Sequence, residues 1–464
     1  MPTRRLLLLA LAVAPLAAFG GAAAALAVLL VLLLLAGAAA DWRLAGDIAR
    51  VAATREVADK LSLGAWNPVR LVLRNGAARA LRLDVRDVYP PDFRVRLGDR
   101  ELEPGAATAV PGRLPEPLLP GGERIVEYRV GPRQRGDYRF EGLHLRATGP
   151  LGFVRRAHAV PGGAAGVRVY PNLRQVQRFE LLARRGMELE AGQRALRVAG
   201  ASTEFERLRE YGPDDDYRLI NWKASARRGK LIVNQYEAER SQNLVLMIDA
   251  GRLMGARVDE PAGDVAGALT AGDIPAGLTK LDHVLNAALL LAYVGTVRGD
   301  RVALLAYADG VRRFIPPGRG RRTFLTMTEA LYNLRAEPVE PDHGLAFGFL
   351  AGRNLRRSLV VLFTDLADRE AAGQLVAQLQ RAARHHQTVC VTLGDPAVIR
   401  PAAAVPDGPE ALYEKMVAQR LLDDRAAVLA TLRGSGVLCL DTRADRLSPA
   451  LIETYLELKL RGRV

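Results

Sequence analysis

Short unbroken apolar runs separated by helical patterns characterise the chain from about residue 241 onward. The runs at 244–248 and 359–364 contain almost no polar residue, which is typical of strands buried on both faces of a parallel sheet. Helical periodicity lies between and after these runs, most clearly over 280–296, 369–386, 409–433 and 448–461. Alternation of strands and helices predicts an α/β fold with a doubly wound sheet.

An aspartate follows each of these two apolar runs. Asp249 comes directly after the first run, and Asp365 ends the second. Ligands of open α/β sheets bind in the crevice beyond the carboxyl ends of the strands. The sequence therefore predicts that both carboxylates lie at the ligand-facing edge of the sheet, although either could simply cap a helix or accept hydrogen bonds from loop amides.

Residues 45–170 show a different pattern, in which apolar and polar positions alternate. Such alternation over 69–73, 81–85 and 126–130 predicts half-buried β-strands. The dipeptide Asn75-Gly76 lies between the first two, which predicts a β-hairpin at that point. With proline- and glycine-rich stretches between the strands, this part of the chain is expected to be a small β-sandwich-like domain.

The N-terminal segment carries no charge from Leu6 to Ala40, a stretch of 35 residues. One helix of that length would measure about 52 Å, whereas the hydrocarbon core of a bilayer is about 30 Å thick. Pro15 and Gly20-Gly21 interrupt the run, so residues 1–44 are expected to form a transmembrane hairpin. A cleaved signal peptide is the alternative. Either arrangement anchors the chain in the cytoplasmic membrane with its soluble domains in the cytoplasm, whereas one strongly tilted helix would export them.

Arginine supplies most of the positive charge, which gives a net charge of +14. Only six of the 65 basic residues are lysine. Genome base composition explains this bias without any function, and contact with membrane lipid is a second explanation. Nucleic acid is not expected as a partner, because no arginine-dense run with interleaved aromatic residues occurs. Gly229-Lys230 lacks the other residues of a phosphate loop, and no nucleophile with a matching base is evident.

The densest motif spans residues 211–227, called the signature segment below. A turn at Gly212 precedes acidic residues suited to capping a helix, and Trp222 is expected to be a large apolar anchor. The segment resembles the bacterial family known as domain of unknown function fifty-eight, in which matching residues recur. Those residues are Tyr211, Gly212, Asp214, Asp215, Arg218, Asn221, Trp222, Lys223, Ser225 and Arg227. The resemblance continues through 281–288, 299–302, 358–365 and 455–459.

The resemblance implies a von Willebrand factor A-like fold for residues 241–464, with residues 171–240 as the segment that carries the family signature. That fold binds Mg²⁺ through strand-end aspartates and loop hydroxyls, here corresponding to Asp249, Asp365 and, near the second loop, Asp342. Gly251 and Leu253 stand where serine ligands are expected. Because Mg²⁺ needs oxygen ligands in a near-octahedral array, the sequence predicts a degenerate site and no cofactor, with weakly held Mg²⁺ as the alternative.

Three functions are compatible with these features. The resemblance implies a membrane-anchored, non-catalytic binding or scaffold protein that acts with a MoxR-type AAA+ ATPase, because such ATPases accompany the family. A metal-dependent hydrolase that uses Asp249 and Asp365 is the second, and a lipid or nucleic-acid binder with an arginine-rich surface is the third. The loop at 255–278 is long and rich in glycine, alanine and proline, which predicts a disordered insertion or a binding loop.

Overall fold

The computed structural model describes residues 2–98, 100–102, 109–172, 204–212, 217, 220–237, 242–258, 277–353, 355–366 and 372–460. Two compact units divide the chain, residues 1–172 and residues 173–464.

Two helices begin the first unit. Helix α1 spans Arg4–Val13, a 3₁₀ turn covers Ala14–Phe19, and helix α2 spans Gly21–Leu44. Gly20 and Gly21 have positive φ angles of 64° and 51°, a backbone conformation that glycine adopts without steric cost. Among the described residues, one helix is long and apolar enough to cross a membrane, and it begins at Gly21.

Residues 51–170 of the first unit are organised in three sheets. The strand orders are β1-β3-β8-β5-β6, β11-β10-β4-β7 and β2-β12-β9, and all the pairs are antiparallel except β2 with β12. The strands are β1 Val51–Val57, β2 Lys60–Ser62, β3 Asn67–Asn75, β4 Arg82–Val88, β5 Arg94–Leu97, β6 Arg100–Leu102, β7 Ala109–Arg113, β8 Glu123–Gly131, β9 Gly136–Phe140, β10 Leu143–Thr148, β11 Arg155–Ala159 and β12 Ala165–Tyr170.

The hairpin predicted at Asn75-Gly76 is wrong. Strand β3 pairs with β1 and β8, whereas β4 pairs with β10 and β7, so the two strands belong to different sheets. The buried amide of Asn75 donates to the carbonyls of Arg79 and Leu118 and accepts from the backbone N–H of Ala77. Asn75 therefore fixes a connection between sheets, because its side chain satisfies buried backbone groups that a two-residue turn would have paired.

The second unit begins, in its described part, with a two-stranded sheet and a short helix. Strands β13 Glu204–Glu210 and β14 Ile232–Glu237 pair antiparallel, and helix α3 spans Trp222–Arg228 between them. Two short strands, β16 Arg257–Val258 and β17 Leu278–Thr279, pair further along. The predicted 255–278 loop lies mostly outside the described residues.

A six-stranded sheet forms the centre of the second unit, in the order β19-β18-β15-β20-β21-β22. All pairs are parallel except β18 with β19. The strands are β15 Asn243–Asp249, β18 Arg301–Tyr307, β19 Val311–Gly318, β20 Ser358–Phe363, β21 Gln387–Leu393 and β22 Leu438–Thr442. The helices are α4 Lys280–Val297, α5 Gly320–Leu331, α6 His343–Ala351, α7 Ala372–Ala383, α8 Pro396–Ala403, α9 Pro409–Gly434 and α10 Leu447–Leu460.

Helices cover both faces of this sheet. Alternate residues of β15 enter two separate cores, since Leu244, Leu246 and Ile248 pack with α4, α5 and α10, whereas Val245 and Met247 pack with α6, α7 and α9. A strand buried on both faces needs apolar residues at every position, which is what the unbroken runs predicted. The α/β class with a mostly parallel sheet is therefore confirmed.

Candidate functional site

Asp249 ends β15 at the carboxyl edge of the sheet, and its side chain is almost fully buried. Its Oδ2 accepts a 2.7 Å hydrogen bond from the Thr364 hydroxyl, and its Oδ1 accepts one of 2.7 Å from the backbone N–H of Gly251. Burial raises the pKa of Asp249 to about 6, although both hydrogen bonds act in the opposite direction. Asp249 thus joins the ends of two neighbouring strands by hydrogen bonds.

Asp365 follows β20 and forms ion pairs with two cations. Its Oδ2 lies 2.7 Å from the Lys280 Nζ, and its Oδ1 lies 2.7 Å from an Nη of Arg425. Lys280 is the first residue of α4, only 4% exposed, and its Nζ also lies 2.7 Å from Oδ2 of Asp395. Asp395 lies two residues after the end of β21 and caps α8 by accepting from the Ala397 N–H. One ammonium group therefore bridges the carboxylates that follow two adjacent strands.

Arg425 extends this network to the last strand. Its second Nη donates to the Leu393 carbonyl and to Oδ1 of Asp441, each at 2.8 Å. Asp441 lies in β22 and also accepts a 2.8 Å hydrogen bond from the Thr392 hydroxyl. We call Asp365, Asp395, Asp441, Lys280 and Arg425 the ion-pair network. It connects the carboxyl ends of three strands through two cations held by α4 and α9.

Asp342, the third predicted metal ligand, has a capping role here. It is the N-cap of α6, and its Oδ1 accepts a 2.8 Å hydrogen bond from the Leu345 N–H. Its own backbone N–H donates to the Ala308 carbonyl just after β18, so it does lie at the same edge. Both side-chain oxygens of Asp249 and of Asp365, and Oδ1 of Asp342, already accept hydrogen bonds or face a cation. The described residues therefore do not fit the Mg²⁺ site that the resemblance implies.

A buried tyrosine–histidine pair lies beside Asp249. Tyr307 is the register partner of Asp249, and its hydroxyl lies 2.9 Å from Nδ1 of His343. Burial raises the pKa of Tyr307 and lowers the pKa of His343 to about 4. Both groups are therefore neutral near pH 7 and add no charge beside the carboxylate.

Asp249 should make stability depend on pH between about 4 and 6. Because its pKa is higher in the folded chain than the ordinary 3.8, the folded state keeps a proton that the unfolded state loses, and this group's contribution to stability falls as the pH rises through that interval. Asp249→Asn removes this contribution. Urea unfolding of both proteins from pH 4 to pH 7 should show the parent losing stability relative to the variant as the pH rises.

The comparison with the parent is needed because buried histidines act in the opposite direction. Burial lowers the pKa of both His283 and His343 from 6.5 to about 4, so their contribution is lost as the pH falls through that range. Both proteins contain these histidines, and the difference between the two curves isolates Asp249. A difference that stays constant from pH 4 to pH 7 would show that Asp249 titrates normally.

The signature segment folds around Asn221 and Ser225. Asn221 caps α3 by accepting a 3.0 Å hydrogen bond from the Ala224 N–H. The buried Ser225 hydroxyl accepts from the Ile232 N–H at 2.8 Å and so ties α3 to β14. Tyr211 donates its backbone N–H to Leu231, next to Gly212. The acidic residues predicted to cap a helix, Asp214 and Asp215, lie outside the described residues, as does Arg218.

Trp222 is not the buried anchor that its size suggested. Its side chain is 68% exposed, and the neighbouring Lys223 and Arg227 are exposed as well. Trp222 is the first residue of α3. The residue of α3 that contacts β14 is Ser225, one turn later, and not Trp222. A large exposed aromatic ring beside two cations is typical of a surface that contacts a partner.

A helical projection extends from the carboxyl edge. Arg425 is held at that edge by the ion-pair network, and from there to Gly434 helix α9 runs along the sheet with Val428, Leu429 and Leu432 buried. The sixteen residues of α9 before Arg425 form about 24 Å of helix. Among them only Ala418 is buried. We call residues 409–424 the helical projection.

The helical projection carries an exposed apolar stripe. Leu412, Tyr413, Met416 and Val417 are 48%, 70%, 61% and 42% exposed, and their spacing places them on one face of the helix. Exposed contiguous apolar surface marks an interaction site more often than scattered single residues do. The stripe therefore makes this side of the carboxyl edge a candidate contact surface.

Sequence reasoning missed Lys280, Asp395 and Arg425. A lysine at the first position of a helix is unfavourable beside the positive end of the helix dipole, so Lys280 itself signalled a nearby carboxylate. Asp395 follows an apolar strand in the same way as Asp249 and Asp365. Nothing in the sequence distinguishes Arg425 from the other arginines of α9, since its role depends on where the helix crosses the edge.

Comparison with known proteins finds relatives that are themselves uncharacterised. An uncharacterised protein of Mycobacterium tuberculosis is 24% identical over 284 residues, which cover 57% of this chain and 82% of that protein. The uncharacterised protein YeaD of Bacillus subtilis is 25% identical over 124 residues, or 27% of this chain and 30% of that protein.

One solved structure is similar to a smaller part of the chain. A cohesin module from a Clostridium perfringens family 33 glycoside hydrolase has 15% identity and a TM-score of 0.20, and the match covers 26% of this chain and 96% of that chain. This similarity is too low to carry a conclusion. The family described as "Protein of unknown function DUF58" matches residues 207–401. The chain therefore contains a DUF58 domain, which includes Asp249, Asp342, Asp365, Asp395 and Lys280 of the carboxyl edge.

Proposed function

We propose that this chain is a membrane-anchored, non-catalytic binding protein whose von Willebrand factor A-like α/β domain docks a MoxR-type AAA+ ATPase in the cytoplasm. The helical projection carries this proposal, because it places an exposed apolar stripe at the edge of the sheet where α/β folds present ligand-facing loops. The partner's class comes from the family resemblance. Helices α1 and α2 supply the anchor, with α2 alone meeting the length and composition of a membrane span.

The ion-pair network favours direct protein contact over a metal bridge. Lys280 and Arg425 already neutralise Asp365. Neither oxygen of Asp365 is therefore available to bind an Mg²⁺ ion that bridges to a carboxylate of the partner. The same pairing argues against a metal-dependent hydrolase, because neither Asp249 nor Asp365 is free to hold a metal or act as a base. Arg252 lies near this edge, with an exposed side chain paired to Glu340, and is a polar contact at the rim of the docking surface.

Pull-down of the ATPase by the detergent-solubilised full chain tests the proposal. Tyr413→Asp with Met416→Asp should weaken binding about tenfold or more, because changing a hot-spot residue at the centre of an interface costs ~2 kcal/mol or more. Arg252→Glu should weaken it less. The matched control is Leu119→Asp, which alters a residue that is 65% exposed in the first unit and should leave binding unchanged.

Two results would contradict this version of the proposal. Loss of binding on addition of a chelator would show that a metal bridges the proteins. Unchanged binding by the Tyr413/Met416 variant, with loss on Trp222→Ala, would place the docking surface on the signature segment. If the parent chain does not retain the ATPase at all, the ATPase is not its partner.

A further inference from the structure

The base of the two N-terminal helices is fixed to one turn of the β-rich part. Asp41, near the end of α2, is completely buried, and its carboxylate accepts hydrogen bonds from the backbone N–H groups of Leu151, Phe153 and Val154 at 2.7–2.8 Å. Three N–H donors stabilise this buried carboxylate, which has no cationic partner in the described part of the chain. A Cβ at Gly149 would overlap this carboxylate, so the turn at 149–154 is shaped around it.

The start of α1 contacts the same turn. Thr3 donates its backbone N–H to the Phe153 carbonyl at 2.9 Å and its hydroxyl to the Gly152 carbonyl at 2.6 Å. The start of α1 and the end of α2 therefore both contact the turn at 149–154, and the chain reverses direction between the helices at Gly20-Gly21. Their relative position at the base is set by hydrogen bonds to backbone groups, which leaves little freedom for the space between them to close.

A cleft remains between the helices at this base. Its volume is about 370 Å³, and its lining is apolar, which lies in the ~300–1,000 Å³ range of small-molecule sites. The lining residues are Pro2, Leu6, Ala38, Ala39, Trp42 and Val154. Small alanines on α2 opposite Leu6 create the space, since larger side chains at 38 and 39 would fill it.

Arginine side chains flank the cleft. Arg4, Arg5 and Arg43 are exposed next to lining residues, and Arg5 reaches across the turn to within 3.5 Å of the position that a Cβ on Gly152 would take. The Arg156 guanidinium lies 5.2 Å from the centre of the half-exposed Trp42 ring and donates to the Gly46 carbonyl. Of the two nearby aspartates, Asp41 is buried and Asp47 is paired with Arg50.

We propose that this cleft binds one anionic phospholipid, with an acyl chain against Leu6, Ala38 and Ala39 and the phosphate against Arg5 and Arg156. The inference rests on the membrane anchoring proposed above. Tryptophan and arginine mark the headgroup level of membrane proteins, and here they lie at the mouth of an apolar cleft whose walls are fixed by Asp41. The site would make the stability of the anchored chain depend on the lipid composition of the membrane.

Thermal unfolding of the full chain in dodecyl maltoside micelles tests the site. Phosphatidylglycerol should raise the melting temperature, whereas phosphatidylcholine at the same mole fraction should not. Ala39→Phe, which fills the cleft at an exposed position, should abolish the difference. Arg5→Gln should weaken the preference for phosphatidylglycerol about fivefold, the contribution of one basic residue near an anionic surface. The controls are Leu33→Phe on the exposed face of α2 and Arg82→Gln on β4, which should both behave like the parent.

Several outcomes would overturn the proposal. Equal stabilisation by the two lipids, or an Ala39→Phe protein that still responds to phosphatidylglycerol, would show that the cleft is not the site. Stabilisation by glycerol 3-phosphate alone would identify an anion site without an acyl chain. Alkaline carbonate extraction of cell membranes tests anchoring separately, because release of the parent chain would refute the anchor while the micelle result for the cleft would still stand.

Discussion

Lys280→Ala should lower the free energy of unfolding by about 3–5 kcal/mol, the usual cost of removing one partner from a buried ion pair. Lys280 is 4% exposed and lies 2.7 Å from carboxylates of both Asp365 and Asp395. Without the ammonium group, Arg425 still faces Asp365, but Asp395 loses its only recorded cation among the described residues. Circular dichroism of the detergent-solubilised chain in urea would measure the loss.

Lys230→Ala is the matched control. Lys230 pairs with Glu210 at 2.9 Å, and both side chains are 67% exposed, so the change should cost no more than about 1 kcal/mol. Equal costs for the two lysines would show that the ion-pair network contributes little. A cost for Lys280→Ala that vanishes in Lys280→Met would show that packing of the aliphatic stem, and not charge, is the main term.

The same variant tests whether Lys280 takes the place of a metal ion. In the parent chain, Oδ2 of Asp365 and Oδ2 of Asp395 each lie 2.7 Å from the Lys280 Nζ. Without the ammonium group, these two oxygens could begin to coordinate a hard cation. Millimolar Mg²⁺ should therefore restore part of the stability of Lys280→Ala and leave the parent unchanged. Equal stabilisation of both proteins by Mg²⁺ would show that the cation binds elsewhere.

The inner strands of the central sheet could be predicted from the sequence because β15, β18, β20 and β21 are buried on both faces. Unbroken apolar runs gave β15 and β20 within one or two residues. The periodicity over 280–296 corresponds to α4, and the start of this helix is fixed by a capping box of Thr279 and Asp282 with both reciprocal hydrogen bonds present. In these elements, local preference and tertiary burial favour the same conformation.

Other features depend on contacts between distant residues and could not be predicted in this way. Asn75-Gly76 has the local sequence of a hairpin turn, but Asn75 instead bonds to Leu118 and the flanking strands enter different sheets. Trp222 has a large apolar ring, yet its position at the start of α3 leaves it exposed. In both cases the residue type alone suggested a local role, whereas the actual role depends on which parts of the folded chain contact that residue.

Asp300 shows the reverse case, in which motifs far apart in the sequence meet. The resemblance included both 299–302 and 455–459, with no indication that they touch. In the structure the Asp300 carboxylate accepts hydrogen bonds from the Tyr455 hydroxyl, from Lys459 Nζ at 2.6 Å and from the Gln242 N–H at 3.1 Å. This cluster ties α10 to the amino edge of the sheet, opposite the ion-pair network.

Asp300→Ala should therefore destabilise the second unit by about 3–5 kcal/mol in urea unfolding, the usual cost of removing one partner from a buried ion pair. Asp300 is 1% exposed, and its removal leaves the Lys459 charge and the Tyr455 hydroxyl without their acceptor. Burial raises the pKa of Tyr455, so that hydroxyl stays protonated and must find another partner near pH 7. Asp309→Ala, at an exposed carboxylate paired with Arg312, is the control and should cost under about 1 kcal/mol.

Hydrogen exchange would distinguish a local role from a global one. If Asp300 holds α10 onto the sheet, amides of Leu447–Leu460 should exchange faster in Asp300→Ala by a larger factor than amides of β15, because the helix can detach before the sheet unfolds. Tyr455→Phe removes one donor and should give a smaller change of the same kind. Uniform acceleration across both elements would mean that α10 and the sheet unfold together, and that Asp300 stabilises the unit without acting as a separate clamp.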